Sequence, residues 1–364
     1  MGRASHQRAL EVWANGEHVA TWHLPSRRPM ELVYSTQWLD SLRARPLSLS
    51  LPLGVKGSVL SGARVENFFR NLLPDSEAIR RRMASKFRVA TPDAFDLLEA
   101  VGRACIGALQ LLPSGVDPVG LNTVQAQPLS EQEVAEHLRR TVTSAGLGPK
   151  QEGDDFRISL AGAQEKSALL WFDGRWCMPH GATPTTHIMK LPLGTVGQAV
   201  KVDMSTSVEN EWLCTKILSA YGLDVAPSSI GVFEDQKVLV VERFDRRWAP
   251  DGSWILRLPQ EDFCQANGLP PTLKYEVDGG PGFGAIAEQL MQSTQVEKDR
   301  NDFLTSQVLF WMLAIIDGHA KNFSIRLLMQ GRHHLTPFYD VLSAWPVIGK
   351  GRNKWPTRKL TMAM

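Results

Sequence analysis

Asp317 stands five residues before Asn322, and a second carboxylate, Asp340, follows in the pair Tyr339-Asp340 beyond a short strand pair. Two aspartates and an amide in this layout are the groups phosphoryl transfer uses. That reaction asks little covalent work of a protein. It needs a carboxylate to orient and deprotonate the attacking hydroxyl, and oxygen ligands to hold Mg²⁺ against phosphates. Asp317 suits the first task; Asn322 and Asp340 suit the second. The bare D-x-x-x-x-N spacing recurs by chance, and a helix end followed by an ordinary polar turn fits it too, so the setting matters. Phe303 to Ile316 (FLTSQVLFWMLAII) is apolar on nearly every face, which predicts a buried helix opening into the polar loop at Asp317.

Elements that can position a nucleotide precede this loop. Arg157 to Leu160 predicts a short strand, Ala161 to Gln164 a loop of small residues, and Lys166 to Phe172 a returning strand. Asp173-Gly174 then turns the chain into Arg175 to Met178, since Asp-Gly tolerates the positive φ of a hairpin turn. A small-residue loop between strands can lay backbone N–H groups over phosphates. Thr186 to Lys190 predicts another strand, whose lysine either snorkels to the surface or faces phosphate oxygens. The helix near Ser207 to Tyr221 places Val208, Trp212, Leu213, Ile217 and Leu218 on one face. It carries Glu209 and Glu211, either of which could pair with Lys190. Lys237 to Phe244 reads as a β-rich hinge between two lobes. Phosphate loop, lysine strand, helix glutamate, hinge strand, Asp…Asn and Asp follow one another in the order of a protein kinase.

The blocks Ser159-Leu-Ala-Gly-Ala-Gln-Glu-Lys166, Thr186-His-Ile-Met-Lys190, Val241-Glu-Arg-Phe-Asp-Arg246, Asp317-Gly-His-Ala-Lys-Asn-Phe-Ser324 and Tyr339-Asp-Val-Leu-Ser343 resemble the signature blocks of the HipA family. These are the toxin kinases of bacterial type II toxin–antitoxin pairs. The resemblance runs from the N-terminus to about Pro346. It implies an α+β, two-lobed, protein-kinase-like fold related to phosphoinositide kinases, with an extra N-terminal β-containing subdomain and a shortened C lobe. It also implies a serine/threonine protein kinase that uses ATP and Mg²⁺. By motif position, Ala161, Gly162, Ala163, Gln164, Glu165 and Lys166 would form the phosphate loop, and Lys190 would contact the phosphates. Glu242, Arg243 and Phe244 would lie against the adenine. Asp317 would be the base, Asn322 and Asp340 the Mg²⁺ ligands, and His319, Ala320, Lys321 and Tyr339 the rest of the nucleotide pocket. Ser159 matches an autophosphorylation position, where an added dianion would repel ATP phosphates and switch the enzyme off.

The family resemblance further implies a HipB-like helix-turn-helix antitoxin as partner, with DNA reached only through it. The implied substrate is a translation protein, an aminoacyl-tRNA synthetase among the candidates. Two other readings stay open: a kinase-inactive, HipA-like binding module that co-represses with its antitoxin, and a lipid or small-molecule kinase. The lack of an amphipathic or polybasic membrane segment weighs against a lipid substrate.

A length of 364 residues predicts two or three domains, and the formal charge of +2 creates no strong field for nucleic acid. Cys105, Cys177, Cys214 and Cys264 lack metal-ligand spacing and suit a reducing cytoplasm. No signal-peptide pattern or membrane-length apolar run is evident. The expected parts are an N-terminal subdomain over 1–110, an N lobe over 111–245 and a C lobe over 246–364. In the first, Leu10 to Trp22 predicts a hairpin turning at Asn15-Gly16; Leu47, Leu49 and Leu51 alternate with serines as in a half-buried strand; Arg64 to Phe87 predicts a helix broken near Pro74, its Arg80 to Arg82 patch a solvated face. Ser130 with Glu133 forms a capping box opening a helix to about Arg140. The Gly- and Pro-rich stretch from Asn267 to Gly284 reads equally as a substrate-facing loop or a plain surface loop. The chain stops at Met364, inside what resembles the middle of the family's C lobe, so truncation or completion by another chain is expected, with activity in question.

Overall fold

The computed structural model describes residues 8–143, 166–197, 201–351, 353–356 and 361–364. Strands β1 (Arg8–Ala14), β2 (Glu17–Leu24), β3 (Glu31–Tyr34), β4 (Val59–Ser61) and β5 (Leu109–Pro113) form an antiparallel sheet in the order β4-β3-β2-β1-β5. The predicted turn is there: Asn15 and Gly16 both take positive φ, 48° and 85°. Helices α1 (Thr36–Asp40), α2 (Ala63–Arg70), α3 (Glu77–Phe87) and α4 (Ala94–Val101) accompany this sheet. Their core is aromatic, with Trp22 stacked 3.8 Å from Phe69 and tilted against Phe95 at 4.8 Å.

The stretch at Leu47–Leu51 is a tight turn rather than a strand, closed by the bridge between Ser48 and Leu51. Its alternating pattern arises because both serine hydroxyls point inward, donating to the Gln265 carbonyl at 3.1 and 2.7 Å. That carbonyl lies at the end of a four-residue helix and also accepts the Gly268 N–H at 2.9 Å.

A second antiparallel sheet holds β6 (Ala126–Pro128), β7 (Lys166–Phe172), β8 (Arg175–Pro179), β9 (His187–Lys190), β12 (Ser228–Phe233) and β13 (Gln236–Glu242), in the order β12-β13-β9-β7-β8-β6. Helix α5 (Glu131–Thr143) opens on the predicted capping box and packs Val134, Ala135 and Leu138 against this sheet. A small ribbon of β10 (Gly194–Val196) and β11 (Val202–Met204) leads to helix α6 (Ser207–Ala220). The apolar face expected of α6 is not the buried one. Val208, Glu211, Cys214, Thr215 and Leu218 face inward, while Leu213 is 53% exposed. A buried ion pair of Glu211 sets the helix rotation, so counting apolar residues alone misplaces the face.

The remainder contains the hairpin β14 (Arg246–Trp248) and β15 (Ile255–Arg257), then the sheet of β16 (Gln260–Asp262), β17 (Ser324–Leu327) and β18 (His333–Leu335). Helices α7 (Phe263–Ala266), α8 (Phe283–Gln289) and α9 (Val296–Met312) pack around Phe263, Phe303, Phe310, Phe323 and Phe338. Helix α9 is not buried all round. Phe303, Leu309 and Phe310 enter the core, whereas Leu304, Val308, Trp311 and Met312 are each more than half exposed. Ile315 and Ile316 lie past its end, after Ala314 bends the chain at a φ of 50°. No helix among the described residues is long and apolar enough to cross a membrane.

Candidate functional site

A cavity of about 640 Å³ lies between the six-stranded sheet and the helical remainder, within the size range of nucleotide and drug-sized ligands. Lys166, Lys190 and Glu211 line it from one side, Asp317, Asn322 and Asp340 from the other. Thus the groups that the spacing singled out share one space.

Strand pairing sets the lysines. Lys166 on β7 is the cross-strand partner of Lys190 on β9, so both side chains leave the sheet on the same face. Lys190 is 5% exposed; its ammonium donates to Glu211 Oε1 at 2.5 Å and to Asp340 Oδ1. Burial disfavours the charge on Lys190, but the Asp340 and Glu211 carboxylates outweigh it and hold the ammonium above the ordinary lysine range. Burial likewise works against charge on Asp340, and Lys190 with Lys166 overcomes it, keeping this carboxyl well below its usual range. Burial dominates at Lys166, which is lowered, with Lys190 adding repulsion. Burial also dominates at Glu211, which is raised in spite of Lys190. Glu211, not Glu209, is therefore the partner of Lys190. Glu209 pairs with Lys237 on the accessible side of α6.

The loop carrying Asp317 is shaped by its own sequence. Gly318 backs onto Phe310, where an added Cβ would lie 2.6 Å from two ring carbons. The chain then closes a 3-10 turn over Ala320–Asn322, in which Asn322 N–H donates to the His319 carbonyl at 2.8 Å. The Asn322 side-chain nitrogen donates to the Asp340 carbonyl at 3.2 Å, fixing the two residues together. Asp340 takes a φ of 59°, a left-handed conformation uncommon outside glycine, which turns the carboxylate back toward Lys190. Asn322 and Asp340 supply hard oxygen atoms of the kind Mg²⁺ prefers, and among the described residues no cluster of three His, Cys, Asp or Glu competes for a cation.

Asp317 is the exposed member, with its side chain 64% accessible. Its Oδ1 accepts a hydrogen bond from the Tyr275 hydroxyl at 2.5 Å. His319, 6% exposed, is lowered by burial and by Lys274, and its Nδ1 has no hydrogen-bond partner. On the opposite wall the rings of Phe244 and Tyr339 face one another at 5.7 Å, tilted by 38°, a spacing that admits edge contact with a flat base. Tyr339 is held by Ser324 at 2.6 Å and donates to the Lys321 carbonyl at 2.9 Å. Glu242 lines the same cavity.

Three expected pocket residues make structural contacts, and two of them, Arg243 and Lys321, line the cavity as well. Ala320 is fully buried in the aromatic core. The Lys321 ammonium is committed to Asp262 and Asn71, each at 2.8 Å, so it ties the loop to the N-terminal part. The Arg243 guanidinium clasps Asp245 at 2.9 and 2.7 Å. These buried or paired side chains brace their neighbours. Ser159 and the loop residues Ala161, Gly162, Ala163, Gln164 and Glu165 lie outside the described residues. Tyr275, Asn71, Asp75, Glu261 and Asp262 were not singled out as site residues, yet all line this cavity or brace its loop. The Gly- and Pro-rich stretch around Tyr275 was the one available signal.

Comparison with known proteins agrees with this architecture. The HipA-like C-terminal domain model matches residues 158–364, and the HipA N-terminal domain model matches residues 10–112. The chain belongs to the HipA family. It is 36% identical over 340 residues to the putative kinase Y4mE of Sinorhizobium fredii, covering 92% of this chain and 77% of that protein. It is 29% identical over 324 residues to the serine/threonine-protein kinase toxin HipA of Shewanella oneidensis, covering 85% of this chain and 69% of that one. A solved complex of the Shewanella HipA with HipB and operator DNA superposes with a TM-score of 0.75 at 24% identity, over 98% of this chain and 79% of its counterpart. The fold is therefore the α+β HipA fold.

Proposed function

We propose that this chain is an ATP- and Mg²⁺-dependent serine/threonine protein kinase and the toxin of a HipA/HipB-like pair. The observation that carries the reading is the meeting of Lys190, Asp317, Asn322 and Asp340 around one cavity of nucleotide size. Asp317, at the open side, accepts the proton of an acceptor hydroxyl. Lys190 is bound to side-chain carboxylates alone, an arrangement that can be exchanged for phosphate oxygens. Asn322 and Asp340 would hold Mg²⁺, which neutralises charge on the transferring phosphate. Phe244 and Tyr339 would flank the adenine, with Glu242 at the hinge.

The relatives' names support the wider reading. One is a kinase toxin, and the superposable structure contains HipB and operator DNA. We assign to this chain a HipB-like helix-turn-helix partner, contact with DNA only through it, and a translation protein as substrate. Autophosphorylation at Ser159, the three-part division at residues 110 and 245, and a cytoplasmic location belong to the same proposal. The test is transfer of the γ-phosphate label from ATP in the purified protein. Asp317→Ala and Asp340→Ala are each expected to remove the label, by about a hundredfold or more. Label persisting in both variants would sink the assignment.

A further inference from the structure

Asp317 poses a physical difficulty for a base. Its side chain is 64% accessible, and an exposed aspartate samples several rotamers unless something holds it. The one hydrogen bond to its carboxylate on the described surface comes from Tyr275, 2.5 Å from Oδ1. We propose that Tyr275 is the positioning residue of this site: it locks the Asp317 carboxylate by one oxygen and leaves the other to take the acceptor's proton. The inference rests on the kinase reading and adds a residue to it.

The stretch around Tyr275 is built to be stiff. Short 3-10 turns at Pro271–Leu273 and Glu276–Asp278 flank it. Gly280 N–H donates to the Tyr275 carbonyl at 2.9 Å, and a Cβ at Gly280 would lie 2.1 Å from the Leu273 carbonyl oxygen. Only a glycine allows the chain to fold back this closely. Three further ties fix the loop from outside. The Lys274 carbonyl accepts the Ala320 N–H at 3.1 Å, joining it to the Asp317 loop itself. The Lys274 ammonium meets Asp75 of the N-terminal part at 3.3 Å. The Tyr275 ring rests edge-on against His319, with centroids 5.1 Å apart. The hydroxyl thus reaches Asp317 from a backbone held on both sides. Burial, with Asp317 next, raises the Tyr275 phenol far above its ordinary value, so it remains a donor across the working pH range.

Tyr275→Phe deletes only the hydroxyl and keeps the ring against His319, so the variant should fold and melt like the parent. Two measurements read it. Steady-state hydrolysis of ATP to ADP and phosphate, with water as the acceptor, is expected to show kcat reduced about tenfold with the KM for ATP unchanged, because the donor acts on the base rather than on the nucleotide. Crystal structures of the parent and Tyr275→Phe should show one Asp317 carboxylate direction in the first and several in the second. An unchanged or increased kcat, a loss confined to the KM for ATP, or a single unchanged Asp317 direction in the variant would each overturn the proposal. Asp317→Asn in the same assay separates the two ideas. Parental turnover there would refute the base assignment, while the crystallographic comparison would still decide whether Tyr275 orients the side chain.

Discussion

Two clusters of buried charge, one around Asp245 and one around Lys190, differ in the kind of partner they hold. At the seam with the N-terminal sheet, one carboxylate, Asp245, serves Arg243 at 2.7 Å and Arg246 at 3.0 Å, with Arg257 nearby. The excess positive charge is met by backbone: Arg246 donates to the Gly107 and Cys105 carbonyls at 2.8 and 3.0 Å, and Arg257 to the Ala182 carbonyl at 3.0 Å. Facing the cavity, Lys190 has only side-chain carboxylates, Glu211 and Asp340. Backbone carbonyls cannot leave, so the arginine cluster is a fixed staple between domains. Side-chain carboxylates can rotate, so those on Lys190 can be exchanged for a ligand's oxygens.

Removing the carboxylate of the staple should give the largest effect. Asp245→Ala leaves guanidiniums buried without their counter-charge, and such losses run to about 3–5 kcal/mol. Urea unfolding should register that loss, and a change below about 1 kcal/mol would mean the staple carries little. Lys190→Ala tests the other cluster. It is expected to reduce phosphate transfer by about a hundredfold to a thousandfold. Its stability cost should be smaller than that of Asp245→Ala, since Lys166 remains beside Asp340 and Glu211. A reversed ranking of the two stability losses would break the distinction.

Glu261 sharpens the contrast, being a buried carboxyl with no cation. Its Oε1 accepts the Leu49 N–H at 2.9 Å, Oε2 has no partner, and burial pushes its pKa up to about 8. The folded state therefore prefers the protonated acid. That preference stabilises fully below the ordinary glutamate value of 4.5 and fades as pH rises, until it is gone near 8. Asp245 behaves oppositely, because Arg243 and Arg246 overcome the cost of burial and lower its carboxyl; its contribution is lost in acid. Glu261→Gln should thus match the parent's melting temperature near pH 4.5 and exceed it by about 2–4 °C at pH 8. Parallel melting curves for the two proteins across that window would contradict the assignment.

Much of this was readable from sequence, and the failures share a cause. Turns and strands written by local chemistry came through: Asn15-Gly16, Asp173-Gly174, the capping box at Ser130, and the β7, β8 and β9 strands. The same holds for the meeting of Lys190, Glu211, Asn322 and Asp340. What failed depended on contacts far along the chain. The inward serines near residue 48 answer to Gln265, and the rotation of α6 answers to Lys190. Tyr275 was hidden for the same reason, since 42 residues separate it from Asp317.

The central claim is that Asp340 and Asn322 gather a metal-bound nucleotide while Asp317 serves chemistry alone. Thermal melting with ATP, in the presence and absence of Mg²⁺, tests this most directly, because a ligand that binds only the native state must raise its stability. The expected result is a Mg²⁺-dependent upward shift in the parent and in Asp317→Ala, absent from Asp340→Ala. An equal shift in all three proteins, or none in the parent, would contradict it.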